Sequence, residues 1–402
     1  MTKAVILAAG WGTRMNPLTL TRPKPALSVA GKTILEHNLK ELKGLVEEVV
    51  IVVGYKEEVI KEILGEEYEG MKITYAKQEE QLGTGHAAQV ALPFLDDDFL
   101  ILNGDDLYLK RDIERVLERA PSMLVKRVED PSGYGQIAVE NDEVKEIVEK
   151  PPEPISDLIN VGCYHLSKEF FKKKIEKSSR GEYEIVDFLK FFIEKGRTLY
   201  YAEAENWHPI TYPWHLLDAN ETLFEDLKGE VRGELEDGCR IKGEVKIEEG
   251  ARIRSGSYIE GPVHIKAGTV VGPNAYVRGS TVIGEDCKVG HGVEVKNSIV
   301  GDDTHLSHLN YIGDSVIGDS CNIGGGTIFA NLRFDEKEIQ VNVKEKKIST
   351  GRRKLGAIMG DGVSVGINTS LMPGVVVGTG SIVGPHMMVK RDVEEGEKFL
   401  ES

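Results

Sequence analysis

The 402-residue chain has few cysteines, no long apolar run and fewer basic than acidic residues. Its four cysteines have no CxxC or zinc-ligand spacing, so we expect neither a zinc site nor a disulfide framework, and a reducing cytoplasm is the natural compartment. No apolar stretch approaches the ~20 residues that span a bilayer. The formal net charge of −16 argues against nonspecific binding to nucleic acid or to an acidic membrane, so anionic substrates must be met by local basic residues.

What the sequence does contain is a six-residue repeat in its second half. This period matches neither the 3.6-residue period of a helix face nor the two-residue alternation of an ordinary strand. It is typical of a left-handed parallel β-helix, in which three hexads close one coil. The aliphatic residues at every sixth position are Ile241, Ile247, Ile253, Ile259, Ile265, Val271, Val277, Ile283, Val289 and Val295.

The repeat is interrupted in three places. Its register slips by one residue after Val295 and again after Ile312, and residues 330–357 lack it altogether before it resumes at Met359. A coil can accommodate an insertion at a corner. We therefore expect a β-helix of about seven coils over residues 229–402, with a flap inserted at about 330–357.

The first half of the chain alternates β-branched apolar runs with amphipathic segments such as Ile34–Leu42. This pattern predicts an α/β, Rossmann-like domain over residues 1–228, with a mainly parallel sheet covered on both sides and a linker helix at about 215–228. The expected strands are Ala4–Ala8, Val49–Val53, Ile73–Ala76, Phe99–Leu102, Met123–Val128 and Ile159–Tyr164.

The first of these strands runs into a glycine-rich loop. Glycines after a first parallel strand let backbone N–H groups approach a phosphate, and Arg14 and Lys24 add two positive charges. A bare pair of glycines is more often an ordinary turn. The whole string AAGWGTRMNPLT, followed by RPKPAL, nevertheless resembles the signature of the sugar-phosphate nucleotidyltransferase family.

The resemblance implies two sets of binding residues in the first half. Gln78 and the backbone of Gly83 would pair with the edge of uracil or thymine, and Asp105 would be the magnesium ligand, with Asp106 as its nearest competitor. The nucleotide-binding set is Ala8, Ala9, Gly10, Gly12, Thr13, Arg14, Lys24, Gln78, Gly83, Thr84 and Asp105. The sugar-phosphate set is Gly135, Glu149, Lys150 and Asn160.

The implied reaction is attack of a sugar-1-phosphate oxygen on the α-phosphorus of UTP or dTTP, with release of pyrophosphate. The nucleophile is already anionic, so positioning and charge neutralisation carry the catalysis. Arg14 would stabilise the leaving pyrophosphate, Lys24 the α-phosphoryl group, and Mg²⁺ on Asp105 would bridge phosphate oxygens.

One position departs from the family pattern. Where the family supplies a second metal ligand, an Asp or Asn, this chain has Pro209. The candidates that remain for this role are His208, His215, Asp218 and Asn220, although imidazole is a poor ligand for Mg²⁺.

The slipped hexads carry a second resemblance. The stretch HLNYIGD from His308 to Asp314, with NIGGGT from Asn322, resembles the acetyltransferase half of the bacterial bifunctional N-acetylglucosamine-1-phosphate uridyltransferases. The resemblance implies that His308 is the base for aminolysis of acetyl-CoA, a task that suits the pKa of histidine. Four further histidines, His264, His291, His305 and His386, fit a purely structural role at coil corners.

The same resemblance assigns the remaining residues of this half. Arg278 and Lys296 would clamp the sugar phosphate, Tyr311 and Asn322 would hold the sugar ring, and Gly325, Asn331 and Lys354 would meet acetyl-CoA. Lys354 aligns only if the insertion is skipped, and Lys337 is the alternative. Such sites form between subunits around a threefold axis, so a homotrimer is implied.

Three hypotheses follow. The leading one is a bifunctional enzyme that acetylates an amino-sugar-1-phosphate, such as glucosamine-1-phosphate, and then transfers a nucleotidyl group to make a product like UDP-N-acetylglucosamine. The second is a monofunctional UDP- or dTDP-sugar pyrophosphorylase whose β-helix only oligomerises. The third is a non-catalytic regulatory subunit. In all three the binding partners are small molecules and further copies of this chain.

Overall fold

The computed structural model describes residues 3–178 and 180–401. The chain forms two compact units. One comprises the described residues up to 11 together with 23–26 and 34–209, and the other comprises 12–22, 27–33 and the described residues from 210 onward.

The first unit is built on a ten-stranded mixed sheet. Its strands are β1 Lys3–Leu7, β2 Glu48–Val53, β3 Glu67–Tyr68, β4 Met71–Lys77, β5 Asp98–Asn103, β6 Ser122–Arg127, β7 Gly135–Glu140, β8 Glu143–Glu149, β9 Leu158–Ser167 and β10 Tyr200–Glu203. Their spatial order in the sheet is β7-β8-β10-β6-β9-β5-β1-β2-β4-β3.

The side of this sheet that contains β1, β2, β4 and β5 pairs in parallel, as predicted, whereas the other side is mostly antiparallel, with one parallel pair between β6 and β10. Strand β1 pairs in parallel with β2 and β5, and β2 with β4. Strands β7, β8 and β9 run antiparallel to their neighbours, so the prediction of a mainly parallel sheet is wrong for that side. The reason is local, because β7 and β8 are joined by a turn of two residues, Asn141 and Asp142, and so short a connection permits only a hairpin.

The sheet is covered on both faces, which confirms that part of the prediction. Ala4 and Ile6 of β1 belong to one buried cluster and Val5 to the other, as the alternation of side chains along a strand requires. The α-helices are α1 Ile34–Leu42, α2 Glu57–Leu64, α3 Thr84–Ala91, α4 Lys110–Leu117, α5 Ile185–Glu194 and α6 His215–Leu223, the last in the second unit. None of the helices in residues 3–178 and 180–401 is long and apolar enough to cross a membrane.

Most of the second unit is the left-handed parallel β-helix that the hexads predict. Ile241 pairs with Ile259 and Ile259 with Val277, so each coil takes three hexads and the repeated aliphatic side chains stack in the interior. Its strands form three flat sheets, called here the first, second and third faces.

The strands of each face stack coil upon coil. The first face contains Glu230–Val231, Val245–Ile247, Val263–Ile265, Thr281–Ile283, Ile299–Val300, Val316–Ile317, Ile358–Met359 and Val376–Val377. The second contains Glu234–Leu235, Arg252–Ile253, Val270–Val271, Lys288–Val289, His305–Leu306, Asn322–Ile323, Ser364–Val365, Ile382–Val383 and Lys398–Phe399. The third contains Arg240–Lys242, Tyr258–Glu260, Tyr276–Arg278, Glu294–Lys296, Tyr311–Gly313, Ile328–Phe329, Ser370–Leu371 and Met388–Val389.

The insertion is a β-hairpin, Gln340–Val343 and Lys346–Ser349. It does not simply project from the β-helix, because Ile339 and Val341 at its base are 1% and 2% exposed. A Cβ on Gly374 would lie 2.6 Å from Cγ2 of Ile339, so the hairpin folds back against a later coil. Helix α6 ends at Leu223, earlier than expected, and a 3₁₀ turn continues it.

Candidate active sites

The first unit contains a polar cavity of about 190 Å³ beside strands β7, β8 and β9. It brings together three of the four residues predicted to hold the sugar, and it adds Thr84 from the predicted nucleotide set. Lys150 does not line it and is exposed to solvent. The lining residues are Thr84, Asn103, Gly133, Tyr134, Gly135, Glu149, Asn160, Gly162, Tyr164, Arg180, Glu184, Ile185 and Val186.

Two glycines allow the polar side chains to stand close together in this cavity. A Cβ on Gly135 would lie 2.8 Å from Oε2 of Glu149, and a Cβ on Gly162, whose φ is +75°, would lie 2.0 Å from Nδ2 of Asn103. Asn160 donates a hydrogen bond to the hydroxyl of Tyr164 at 2.7 Å. Hydroxyl-binding groups of this kind suit a sugar ring.

The cavity also holds an ion-pair cluster that the sequence did not predict. Nη2 of Arg180 lies 2.6 Å from Oε2 of Glu184 and 3.4 Å from Oε1 of Glu149. The Glu184 hydrogen bonds raise the pKa of Arg180 against the effect of burial. Arg180 and Glu184 are four residues apart, a spacing at which an ion pair can form. No pattern in the sequence connects either residue with Glu149.

Asp105 is the accessible carboxylate at the carboxyl end of β5. Its Oδ2 lies 2.7 Å from Nζ of Lys24, and the Asp105 side chain is 42% exposed while that of Lys24 is only 9% exposed. Asp106, the competitor, is buried, and burial together with the charge of Asp105 raises its pKa to about 7. Asp105 is therefore the better of the two for a metal ion that arrives with phosphates.

The position of the expected second ligand, Pro209, lies in a short strand. Strand Trp207–Pro209 pairs with Asp106–Tyr108, and Pro209 lies opposite Asp106. Within residues 3–178 and 180–401 no group of three or more His, Cys, Asp or Glu side chains is placed to hold a metal ion. Mg²⁺ commonly takes one or two carboxylates and completes its shell with waters and substrate phosphates, so Asp105 fits such an ion.

The glycine loop leaves β1 with its backbone open to solvent at Gly10. A Cβ there would meet no atom within 4 Å. Ala8 and Ala9 are buried, and the carbonyl of Ala9 accepts a hydrogen bond from Gln81 at 2.7 Å. The Trp11 ring, 57% exposed, lies 4.7 Å from that of Tyr55.

The following residues, 12–22, pack in the second unit. Gly12 has φ +62° and precedes a 3₁₀ turn, Thr13–Met15. Thr19 donates to the carbonyl of Gly12 at 3.0 Å, which ties the segment to its own start. Arg14 is exposed and makes no ion pair with any described residue.

The predicted base-reading loop is tightly held. Gln78 is 4% exposed, and its Nε2 donates to the carbonyl of Gly83 at 3.1 Å and lies 3.0 Å from Nδ1 of His86. Gly83 has φ +107°, and a Cβ there would lie 2.5 Å from the carbonyl oxygen of Tyr183. Thr84 begins helix α3 directly after it.

In the second unit, the predicted phosphate clamp lies on the third face of the β-helix. Arg278 and Lys296 are neighbours in register. Each is already paired within the chain, Arg278 with Glu294 at 2.8 Å and Lys296 with Asp314 at 2.9 Å. Both carboxylates went unrecognised in the sequence, although Asp314 ends the motif that carries the resemblance.

Two further predicted residues join this network. Asn331 donates to the hydroxyl of Tyr311 at 3.1 Å and to Oδ2 of Asp314 at 2.5 Å. Lys354 forms an isolated antiparallel bridge with Leu332, at the base of the inserted hairpin, and Lys337 is exposed.

His308 lies at the corner between the second and third faces, with its side chain exposed. Its carbonyl accepts a hydrogen bond from Gly326 at 2.8 Å, so Gly325 occupies the same corner one coil further on. Asn322 is exposed on the second face. His264, by contrast, is buried, hydrogen-bonds Glu248 at 2.8 Å and has a pKa lowered by burial, which fits a structural role, but it lies in the first-face strand Val263–Ile265 and not at the predicted corner.

Known proteins resemble the chain in both halves. Residues 3–225 match the Nucleotidyl transferase family and residues 259–398 match the GMPPB C-terminal domain. The chain belongs to the nucleotidyl transferase family, which confirms the resemblance seen in the glycine loop.

Individual relatives extend the match over nearly the full length. The chain is 42% identical to Bifunctional protein GlmU of Methanocaldococcus jannaschii, over 97% of this chain and 95% of that protein. It is 39% identical to a bifunctional sugar-1-phosphate nucleotidylyltransferase/acetyltransferase of Sulfurisphaera tokodaii, over 99% of each. Among solved structures, a putative glucose-1-phosphate thymidylyltransferase from Bacillus anthracis matches 57% of this chain and 98% of its own, with TM-score 0.52 and 27% identity.

Proposed function

We propose that the chain is a bifunctional enzyme of nucleotide-sugar synthesis. One half acetylates the amine of an amino-sugar-1-phosphate, such as glucosamine-1-phosphate, with acetyl-CoA. The other transfers a nucleotidyl group from UTP or dTTP to a sugar-1-phosphate and releases pyrophosphate. The observation that carries the proposal is that one chain holds a sugar-sized polar cavity near an accessible aspartate and, separately, an exposed histidine in the interrupted coils of a β-helix.

The relatives support this proposal over its alternatives. Two proteins that align with nearly all of the chain carry names that call them bifunctional, and one of these names states a sugar-1-phosphate nucleotidylyltransferase and an acetyltransferase activity. A monofunctional pyrophosphorylase or a regulatory subunit would not require His308 and the Arg278–Lys296 pair in a motif that resembles an acetyltransferase.

In the nucleotidyl transfer, charge neutralisation is assigned to three side chains. Arg14, exposed and unpaired among the described residues, stabilises the leaving pyrophosphate. Lys24 neutralises the α-phosphoryl group. Asp105 would hold Mg²⁺, which when bound supplies further neutralisation of phosphate charge. The sugar-phosphate oxygen is anionic at neutral pH, so no general base is assigned.

The polar cavity is assigned to the sugar. Glu149, Asn160 and the backbone of Gly135 accept and donate hydrogen bonds to its hydroxyl groups. Lys150 remains our sequence-based assignment for the sugar phosphate, and Arg180 is the cation that lines the cavity itself. Gln78 and Gly83 remain assigned to the base.

In the acetyl transfer, His308 removes a proton from the ammonium group of the amino sugar. The free amine attacks the thioester carbon, the C–N bond forms, and the C–S bond breaks to release coenzyme A as its thiol. Arg278 and Lys296 hold the sugar phosphate, and Tyr311 and Asn322 hold the ring. The coenzyme is assigned to a separate set, namely Gly325, Asn331 and Lys354.

Two assignments concern the chain as a whole. We divide it functionally into a nucleotidyltransferase domain, residues 1–228, and an acyltransferase domain, residues 229–402. We also assign a homotrimer, because sites on β-helices of this kind are completed by a neighbouring subunit.

The proposal is tested by measuring both products on two variants. His308→Asn is expected to abolish release of free coenzyme A while pyrophosphate release continues, and Arg14→Ala is expected to do the reverse. His386→Asn, at another coil corner, is the matched control and should leave both activities intact. Pyrophosphate release at the normal rate in Arg14→Ala, or acetylation in His308→Asn, contradicts the corresponding assignment.

A further inference from the structure

A groove with a glycine floor runs along the second face of the β-helix beside His308. One wall is formed by outward side chains that follow one another in register, Lys288 and His305. The other wall is formed by corner residues of the same coils, His291 and His308. Together with Arg254 at one end they enclose a cavity of about 390 Å³.

The packing of neighbouring coils explains why the floor of the groove consists of glycines. A Cβ on Gly272, whose φ is +101°, would lie 2.1 Å from Oγ of Ser257. A Cβ on Gly290 would lie 1.6 Å from the carbonyl oxygen of Ser307. Both glycines are therefore required by the β-helix whether or not anything binds there. The β-helix does not in the same way require the particular side chains that form the walls.

The walls are basic and lack compensating charge. Lys288, His305 and His308 form no ion pair or side-chain hydrogen bond with any residue in 3–178 or 180–401. Arg254 makes only a 3.8 Å contact with Glu236, and no Asp or Glu lines the cavity. In a chain of net charge −16, a concave surface whose described residues include an unpaired lysine, a weakly paired arginine and no carboxylate attracts anions.

Lys288 lacks a carboxylate partner in the described part of the chain, unlike the two residues that the proposed function assigns to the sugar phosphate. Arg278 and Lys296 each lie within 3 Å of a carboxylate of their own chain, Glu294 and Asp314, and an incoming phosphate must compete with it. Lys288 has no such partner. It lies one coil from His305, about 4.8 Å along the β-helix, and His305 is three residues before His308.

We propose that this cavity binds a phosphate group of an acetyl-transfer substrate, with Lys288 and His305 as phosphate-binding residues beside the base His308. The identity of the substrate rests on the proposed acetyl transfer. The phosphate belongs either to the amino-sugar-1-phosphate or to the nucleotide end of the coenzyme. Lys288 does not stand out in the sequence, and His305 is predicted there to have only a structural role at a coil corner, whereas the structure places it in a strand of the second face.

The test measures steady-state kinetics for each substrate separately. Lys288→Gln and His305→Asn, alone and combined, are expected to raise the KM of one substrate about tenfold, the loss typical of one charged hydrogen bond, with a much smaller change in kcat. Lys398→Gln is the matched control, because Lys398 stands in the same row of the second face at the far end of the β-helix, outside the cavity. It should leave both KM values unchanged.

The substrate whose KM rises in the variants is the one whose phosphate binds in the cavity. A rise confined to the amino-sugar-1-phosphate identifies the sugar. A rise confined to acetyl-CoA, together with loss of the preference for coenzyme A over dephospho-coenzyme A as product inhibitor, identifies the coenzyme. Unchanged KM values in the double variant, or an equal effect of Lys398→Gln, overturn the proposal.

A direct measurement separates this proposal from the proposed function. If the wild-type chain does not acetylate any amino-sugar-1-phosphate, the proposed function fails. The cavity is then judged by titration with inorganic phosphate. Loss of one bound phosphate in the double variant relative to wild type supports an anion site, and equal binding by both proteins refutes it.

Discussion

Single glycines determine where polar side chains can stand in the sugar-sized cavity. At Gly135 the missing Cβ leaves room for the carboxylate of Glu149, which lies on the neighbouring antiparallel strand directly opposite. At Gly162 the left-handed backbone and the amide of Asn103 both exclude a side chain. The cavity is thus shaped by backbone approach as much as by the groups that line it.

We predict that Gly135→Ala raises the KM for the sugar-1-phosphate about tenfold, the cost of one misplaced charged hydrogen bond. The added methyl group would stand 2.8 Å from Oε2 of Glu149, so the carboxylate must move. The KM for the nucleoside triphosphate should change little. Steady-state kinetics with each substrate varied in turn measures both values.

Gly133→Ala is the control for this substitution. Gly133 lines the same cavity, but a Cβ there would meet no atom within 4 Å. An equal loss in both variants would show that the Glu149 carboxylate does not hold the sugar.

Among the larger elements, the segment 12–22 is fixed to the β-helix by a partly buried ion cluster. Nη2 of Arg22 lies 2.6 Å from Oδ2 of Asp319 and 2.6 Å from Oδ2 of Asp361, and Thr21 also hydrogen-bonds Asp361. Burial by itself lowers the pKa of Arg22. The carboxylates of Asp319 and Asp361 together raise this pKa by more, so it lies above its ordinary value. Burial raises the pKa of Asp319 even with the guanidinium beside it.

We predict that Arg22→Ala destabilises the protein by about 2–3 kcal/mol, somewhat less than a fully buried pair, because it leaves two carboxylates close together without a counter-ion. Differential scanning calorimetry should show the unfolding temperature of the β-helix falling. Arg391→Ala removes an exposed pair with Glu397 and should have little effect.

A second substitution separates the loss of charge from the loss of contact. Asp319→Asn in the Arg22→Ala background removes part of the repulsion, so it should restore some of the lost stability. If it destabilises the protein further, the explanation by unpaired carboxylates is wrong.

The elements that the sequence predicted well are those whose signal is local and periodic. Helix Ile34–Leu42 and every interior position from Ile241 to Val295 follow from spacing alone. The antiparallel side of the sheet was missed, because β7 and β8 carry no continuous apolar run. The first coil lies within the predicted bounds of the β-helix, but the hexad repeat does not mark it, since Val231 and Leu235 are 46% and 40% exposed and do not extend the aliphatic column.

The same distinction applies to the candidate sites. Gly135, Glu149 and Asn160 were found because each stands in a short recognisable motif, and the structure brings them into one cavity. Arg180 was not found, because its partner Glu149 is remote in sequence. The juxtaposition of Lys288 and His305 in the second-face groove was not found either, since only the stacking of coils brings these two residues together.

For the chain as a whole, exposed apolar side chains concentrate on the later coils of the β-helix. Leu309 and Ile367 stand at corners between the second and third faces and are 61% and 52% exposed. Ile382 and Met388, on the two faces that meet there, are 41% and 49% exposed. Apolar groups gathered along one edge are typical of a surface that another protein covers, and the proposed trimer supplies two further copies of this chain.

We predict that Ile367→Glu dissociates the trimer, because a carboxylate at this edge must lose its water when subunits associate. Light scattering after gel filtration should give three times 44.4 kDa for the wild type and 44.4 kDa for the variant. Acetyl transfer should be lost with the neighbouring subunit, while nucleotidyl transfer persists. Ile155→Glu, which charges a 45% exposed isoleucine of the first unit, should remain trimeric and keep both activities, and a fully active monomeric Ile367→Glu would rule out a shared acetyltransferase site.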